Sequence, residues 1–328
     1  MLIKDYIPQK QFRYYFTQMD DMDKNLYLAL LNGMLEHSDN IYCQCSVERA
    51  QEIYHMVKYD IPELFYVKTI KIRYSVCGTS CTVLPIYRFN VKETVAMLQA
   101  LDDKYRFFID NTHTLKEIDK EKAIHDHIAS MVKYKDVDAP YSHEAPGALL
   151  YGIGVCEGIA KAFKYLADRV NLKSIVVIGT SNAHGNENGH AWNIVEIDGL
   201  YYHLDVTFDT TIADGSLRYD YFNLSDEEIK TNHSWIVAIP ICYTSYNFYY
   251  KEGMFFFTKT ELASYIRKRS RKDNTIIFQV PLFEDEKETA IKVVCDTVRE
   301  NMFCSMFEII KYYISYNEDR MVFQIQTQ

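Results

Sequence analysis

Apolar residues recur every three or four positions in several segments, and this spacing predicts amphipathic helices. One such stripe follows Cys156 and consists of Ile159, Phe163, Leu166 and Val170, which places the cysteine in the first turn of a buried helix. The same spacing predicts further helices at 24–36, 47–58, 91–112, 115–134, 145–151, 259–269, 285–300 and 303–315.

Runs rich in β-branched and aromatic residues predict strands between these helices, at 66–76, 82–89, 174–179, 190–197, 200–208, 254–257, 275–280 and 321–326. Asp198-Gly199 is the strongest short hairpin signal in the chain. A two-residue turn there places Ile197 opposite Leu200 and His190 opposite Thr207. Asp205 then becomes a diagonal neighbour of His190 on the same sheet face.

The order of these elements predicts an α+β protein with three regions. Residues 1–90 are expected to form an N-terminal α/β accessory region, residues 91–240 a catalytic core, and residues 241–328 a C-terminal α/β accessory region. The C-terminal strands are compatible with pairing to the N-terminal hairpin in one accessory layer.

Composition and charge narrow the class of protein. The 328 residues carry a formal charge of −9, which argues against binding to a nucleic-acid backbone. No apolar run reaches membrane-spanning length, and the N-terminus lacks a signal-peptide pattern. We therefore expect a cytoplasmic protein without membrane insertion, or a secreted one if the natural chain begins earlier. The eight cysteines show neither metal-finger spacing nor a disulfide framework.

Three residues carry the candidate chemistry. Cys156 begins a helix, where the helix dipole and unpaired N–H groups favour a thiolate, and nearby glycines leave room for another backbone. His190 opens a strand and Asp205 lies on the next one. These are the parts of a thiol acyl-transfer site, with a nucleophile, a proton carrier and a carboxylate that orients the imidazole. A longer hairpin turn would bring Asp209 to His190 instead, so Asp209 is the reserve carboxylate.

Gly154-Val-Cys-Glu-Gly158, Gly189-His-Ala-Trp-Asn193 and His203-Leu-Asp-Val-Thr-Phe-Asp209 resemble the three motifs of the bacterial transglutaminase-like superfamily. The resemblance is close from about 115 to 235. It implies a papain-like core, with the cysteine helix packed on an antiparallel sheet, and the roles of nucleophile for Cys156, base and acid for His190, and orienting carboxylate for Asp205. Phe208 and Ile159 replace a tryptophan and a tyrosine common in that family, which affects the expected pocket lining.

The resulting functional hypothesis is a cysteine peptidase or amidase that acts on a peptide or protein through an acyl-enzyme. Transglutaminase and glutamine deamidase activities use the same triad and stay open, as does a non-catalytic peptide-binding module. We expect no cofactor and no metal site, and the sequence leaves the oligomeric state open. His125 and His127 point in different directions on one helix, so structural roles are expected for them. A structural hydrogen bond is also expected for His203.

Overall fold

The computed structural model describes residues 2–74, 78–137, 141–182, 187–212, 215–281, 287–302 and 311–327. In these ranges the α-helices are α1 (Tyr14–Gln18), α2 (Asp21–Leu35), α3 (Val47–Asp60), α4 (Val91–Thr112), α5 (Glu117–Met131), α6 (Ala145–Tyr151), α7 (Cys156–Arg169), α8 (Val206–Thr211), α9 (Asp226–Ile229), α10 (Phe248–Lys251), α11 (Lys259–Arg269) and α12 (Lys287–Asn301).

The strands in the same ranges are β1 (Ile41–Cys43), β2 (Val67–Tyr74), β3 (Cys81–Tyr87), β4 (Lys133–Tyr134), β5 (Ile153–Gly154), β6 (Ser174–Ser181), β7 (Asn188–Ile197), β8 (Leu200–Leu204), β9 (Phe222–Leu224), β10 (His233–Ser234), β11 (Thr275–Gln279), β12 (Tyr312–Asn317) and β13 (Val322–Thr327). The mixture of helices with antiparallel sheets confirms the α+β class.

A five-stranded antiparallel sheet with the order β10-β6-β7-β8-β9 carries the helix that begins at Cys156. This helix, α7, packs against β6 and β7. Its apolar stripe explains the packing, because Ile159, Phe163 and Leu166 are all buried. The predicted placement of Cys156 at the start of a sheet-packed helix is therefore confirmed.

The Asp198-Gly199 hairpin has the predicted register, with Ile197 opposite Leu200 and Asn193 opposite Leu204. Both turn residues have positive φ, 51° at Asp198 and 81° at Gly199, as a two-residue turn of this hand requires. The turn thus aligns the two strands that lead towards the candidate site.

The second strand of that hairpin is shorter than predicted. β8 ends at Leu204, and Asp205 is the N-cap of α8. The Asp205 side chain accepts a hydrogen bond from the backbone N–H of Phe208. The pairing of His190 with Thr207 is therefore wrong, and His190 pairs with Gly179 of β6 instead. A helix cap outcompetes strand extension here because the aspartate side chain satisfies a free N–H at the helix start.

Other differences lie at the ends of elements. α5 stops at Met131, and the next residues form β4, which pairs in parallel with β5. Residues 312–317 are strand rather than helix, while 303–310 of that predicted helix fall outside the described residues. The segment predicted as strand 254–257 contributes an isolated bridge between Phe255 and Gln279.

The N-terminal and C-terminal strands form two separate three-stranded sheets, β1-β3-β2 and β11-β13-β12. A single accessory layer built from both is therefore wrong. The C-terminal sheet with α11 and α12 encloses a hydrophobic cluster of its own, whereas a larger cluster joins N-terminal side chains to those around α7. The domain boundaries at 90 and 240 stay predictions. In the described ranges, no helix combines the length and the apolar character needed to cross a membrane.

Candidate active site

The first turn of α7 presents Cys156 at a partly exposed position. The first hydrogen bond of the helix runs from the N–H of Ile159 to the carbonyl of Val155 over 3.0 Å, so the N–H of Cys156 belongs to the unbonded first turn. The Ser142 carbonyl accepts the Val155 N–H at 2.9 Å. Any Cβ at position 158 would overlap that same carbonyl, which explains the glycine there.

His190 connects Cys156 to Asp205. Its Nε2 lies 2.6 Å from Oδ2 of Asp205, so Nδ1 is the ring nitrogen left for the cysteine. The Cys156 sulfur lies near enough to the imidazole to help raise its pKa. The ring is 8% exposed and packs between Trp192, stacked at a centroid distance of 6.0 Å, and Phe208 at 5.1 Å. The structure therefore brings all three predicted residues together, in the order sulfur, imidazole, carboxylate.

Opposing effects set the charges of this group. Burial lowers the pKa of His190, but the Asp205 carboxylate and the Cys156 sulfur outweigh it and raise the pKa to about 10. Burial alone would raise the pKa of the fully buried Asp205, whereas the charge of His190 and the hydrogen bonds from His190 and His233 bring it well below its usual range. At neutral pH the pair is thus an imidazolium facing a carboxylate.

A second histidine, His233 on β10, also contacts Asp205. Its Nε2 lies 3.0 Å from Oδ2, the oxygen that accepts from His190, while the other oxygen accepts the Phe208 N–H at 3.1 Å. Asp205 therefore has three hydrogen-bond donors, which fix its orientation behind the imidazole. No sequence pattern indicates a role for His233, because it lies 28 residues from Asp205 and outside the motifs. The cap role of Asp205 was detectable, since aspartate is a preferred N-cap residue.

Buried ion pairs connect the first half of α7, which begins at Cys156, to neighbouring segments. Lys161 on α7 donates to Glu157 at 2.7 Å and to Glu144 at 3.0 Å, and Glu144 also accepts from Lys58 on α3 at 2.8 Å. Lys161 is only 1% exposed, so removing one partner would leave an uncompensated buried charge. This chain of charges ties the N-terminal helix α3 to the loop before α6 and to the cysteine helix.

The remaining predicted polar residues have other partners. Asp209, the reserve carboxylate, accepts from His125 Nε2 at 3.2 Å and from the backbone N–H of Tyr221 at 3.0 Å. His203 accepts the Trp192 indole N–H at 3.0 Å through Nδ1, and its Nε2 contacts Asp226 at 3.0 Å, which confirms the structural hydrogen bond.

The described ranges contain two groups of potential metal-binding side chains. One consists of His190, Asp205 and His233, and the other of His203, Asp226 and Cys242. Within each group the potential ligand atoms lie within 4.8 Å of one another. In both groups a histidine already pairs with the carboxylate, and these hydrogen bonds account for the clustering without an ion. We assign no metal to either group.

Residues 108–206 match the family model of the transglutaminase-like superfamily. This segment contains Cys156, His190 and Asp205, the residues of the three motifs that resemble that superfamily. No curated protein matches the chain significantly.

The chain is also similar to several solved structures. One is a candidate cysteine protease from Cytophaga hutchinsonii, 16% identical with a TM-score of 0.28, where the match covers 42% of this chain and 61% of that one. Another is described as a TGase, 14% identical with a TM-score of 0.29, covering 55% and 53%. A third is a candidate protease from Parabacteroides distasonis, 13% identical with a TM-score of 0.24, covering 43% and 40%. The matches thus span less than two thirds of each of these chains.

Proposed function

We propose that the protein is a thiol-dependent acyl-transfer enzyme that acts on amide bonds of a peptide or protein, and that its reaction is hydrolysis. The observation that carries this proposal is the arrangement of three side chains, in which His190 lies beside the Cys156 sulfur and is hydrogen-bonded to the buried Asp205. The match of residues 108–206 to the family model of the transglutaminase-like superfamily supports it.

In the first half of the proposed reaction, His190 already holds the proton of the thiol as an imidazolium, and the Cys156 sulfur attacks the amide carbonyl carbon as a thiolate. The carbonyl oxygen becomes an oxyanion, and the Cys156 N–H at the start of α7 is placed to donate to it. One such donor typically contributes roughly 3–4 kcal/mol of barrier lowering. The C–N bond then breaks, and His190 returns the proton to the leaving amine.

The second half releases the acyl group from the thioester. Water attacks the thioester carbonyl while His190 accepts one of its protons, and the C–S bond breaks to give the free acid and regenerate the thiol. Asp205 stays ionised throughout, because its three donors and the positive imidazole favour the charged form. Its role is to hold the imidazole with Nε2 occupied and Nδ1 facing the sulfur.

The proposal is tested by incubating the protein with a peptide library and following the products by mass spectrometry in ¹⁸O-labelled water, with and without methylamine. We expect Cys156-dependent cleavage with ¹⁸O in the new carboxyl groups. The Cys156→Ser variant should be inactive, whereas Cys295→Ser, a substitution of another partly exposed cysteine, should retain activity.

Methylamine incorporation would favour a transglutaminase, and conversion of glutamine to glutamate would favour a deamidase. Either result would replace hydrolysis of peptide bonds while keeping the triad. Peptide binding without any Cys156-dependent product would contradict the enzyme proposal and favour a binding module.

A further inference from the structure

A cavity of about 520 Å³ lies between α3 of the N-terminal region and the outer edge of the five-stranded sheet. Its volume is in the range of small-molecule pockets. Most of its lining is aromatic or aliphatic, and the principal contributors are Tyr15, Met56, Tyr59, Ile178, Trp235 and Ile236.

The cavity and the candidate nucleophile are connected through one small buried cluster. Two of its lining residues, Tyr59 and Ile178, pack against the same small buried cluster as Cys156, which consists of Ala160, Val176 and Ala191. The lining also includes Gly179, the strand partner of His190. A substrate that fills this cavity can therefore extend past the cluster towards Cys156 and His190.

The wall of the cavity includes an edge of the sheet. β10 pairs with β6 only at Thr180 and Ser181, so in the described ranges Ile178 has a strand partner on the β7 side alone. The Val176 carbonyl points to the outer edge, where it accepts the Tyr15 hydroxyl at 2.7 Å. Because strand orientation repeats every two residues, the backbone groups of Ile178 point to the same edge. Tyr15 at Val176 and β10 at Thr180 bound this stretch, so one residue of an extended peptide can pair with Ile178 there.

The two carboxylates of the lining already have hydrogen-bond partners. Glu52 accepts from Arg49 at 2.7 Å, and Glu187 accepts the Thr180 hydroxyl at 2.8 Å. Ile236, by contrast, is fully exposed at the rim. An apolar occupant would remove this side chain from water, which is favourable in proportion to the area covered.

We propose that the cavity is a specificity pocket that binds a large apolar side chain, aromatic or branched aliphatic, of an extended peptide substrate. The inference rests on the proposed function for the nature of the ligand. It adds that the N-terminal helix α3 helps to select the substrate, since Met56 and Tyr59 line the pocket.

The chain contains two tryptophans, which allows a binding test that needs no catalysis. Trp235 lines the cavity, while the indole N–H of Trp192 is bonded to His203. The Cys156→Ser protein, labelled with ¹⁵N, is titrated with acetyl-Phe-Gly-amide and with acetyl-Ala-Gly-amide, and the two indole N–H signals are followed by NMR. We expect the phenylalanine peptide to shift the Trp235 signal with roughly tenfold or greater affinity than the alanine peptide.

Two variants of one segment serve as a matched pair. Val237→Phe fills the cavity, because Val237 lines it, and should abolish the preference for the phenylalanine peptide. Ala238→Phe introduces the same ring at an exposed neighbouring position and should leave the preference unchanged. Equal affinities for the two peptides, no binding of either, or a preference that survives Val237→Phe would overturn the inference.

Failure of the pocket and failure of the proposed function give different results. If the Trp235 signal reports selective binding but no Cys156-dependent product forms, the pocket stands and the enzyme proposal falls. If peptides are cleaved with no difference in kcat/KM between phenylalanine and alanine substrates and Trp235 does not respond, the enzyme proposal stands and the pocket falls.

Discussion

Replacing Asp205 by asparagine removes the charge behind His190 while keeping the shape of the side chain. The pKa of His190 is about 10 in the folded protein, compared with an ordinary value of 6.5. The gap of about 3.5 pH units corresponds to roughly 5 kcal/mol of preference for the imidazolium, at 1.36 kcal/mol per unit. In Asp205→Asn the burial of the ring persists and the larger of the two opposing contributions, that of the carboxylate, is gone, while that of Cys156 remains. We therefore expect the pKa of His190 to fall by about three units, towards its ordinary value of 6.5.

The assay is an NMR pH titration of the imidazole nitrogens, with the His190 signals identified by their loss in His190→Gln. Asp209→Asn is the matched control, because Asp209 is also fully buried but contacts His125. That variant should lower the pKa of His125, which is about 9, and leave His190 near 10. The reasoning is refuted if His190 still titrates near 10 in Asp205→Asn, or if Asp209→Asn lowers its pKa equally.

Three further predictions concern stability, measured by urea unfolding. His233→Gln should cost about 1–3 kcal/mol, because the buried Asp205 loses a donor; an unchanged midpoint would show that the contact is dispensable. The pKa of His125 in the folded protein is raised to about 9, so its contribution to the free energy of unfolding is complete below pH 6.5 and is lost as pH rises through 9. His125→Gln should remove this decline in the free energy of unfolding, which is roughly 3 kcal/mol. Burial raises the pKa of Glu121 to about 8, so the free energy of unfolding falls as pH rises from 4.5 to about 8. At pH 9 Glu121→Gln should therefore be more stable than the native protein, and a less stable variant would contradict this.

The parts of the site that depend on local pattern were predictable from the sequence. Helix periodicity placed Cys156 at a helix start, and the Asp198-Gly199 turn determined the alignment of β7 with β8. Both are short-range effects, in which a turn or a stripe of side chains determines its own neighbourhood. They suffice to bring the regions of His190 and Asp205 together.

The remaining features depend on contacts between distant segments. His233 reaches Asp205 because β10 pairs with the end of β6, and no local pattern encodes that pairing. The contribution of α3 to the cavity and the ion pair between Lys58 and Glu144 likewise join residues far apart in the chain. The strand predicted through Asp205 failed because a side-chain cap to Phe208 competes with sheet extension.

The central claim is that His190 activates the Cys156 sulfur, and competitive alkylation measures this most directly. The native protein is treated with a small amount of iodoacetamide at pH 7, and adducts are mapped by mass spectrometry. Cys45 and Cys295 are the internal references, because both are partly exposed and burial raises the pKa of each thiol, to about 11 for Cys45. The account predicts that Cys156 reacts at least about tenfold faster than either and that His190→Gln abolishes the advantage. A Cys156 that reacts no faster than these two cysteines would contradict it.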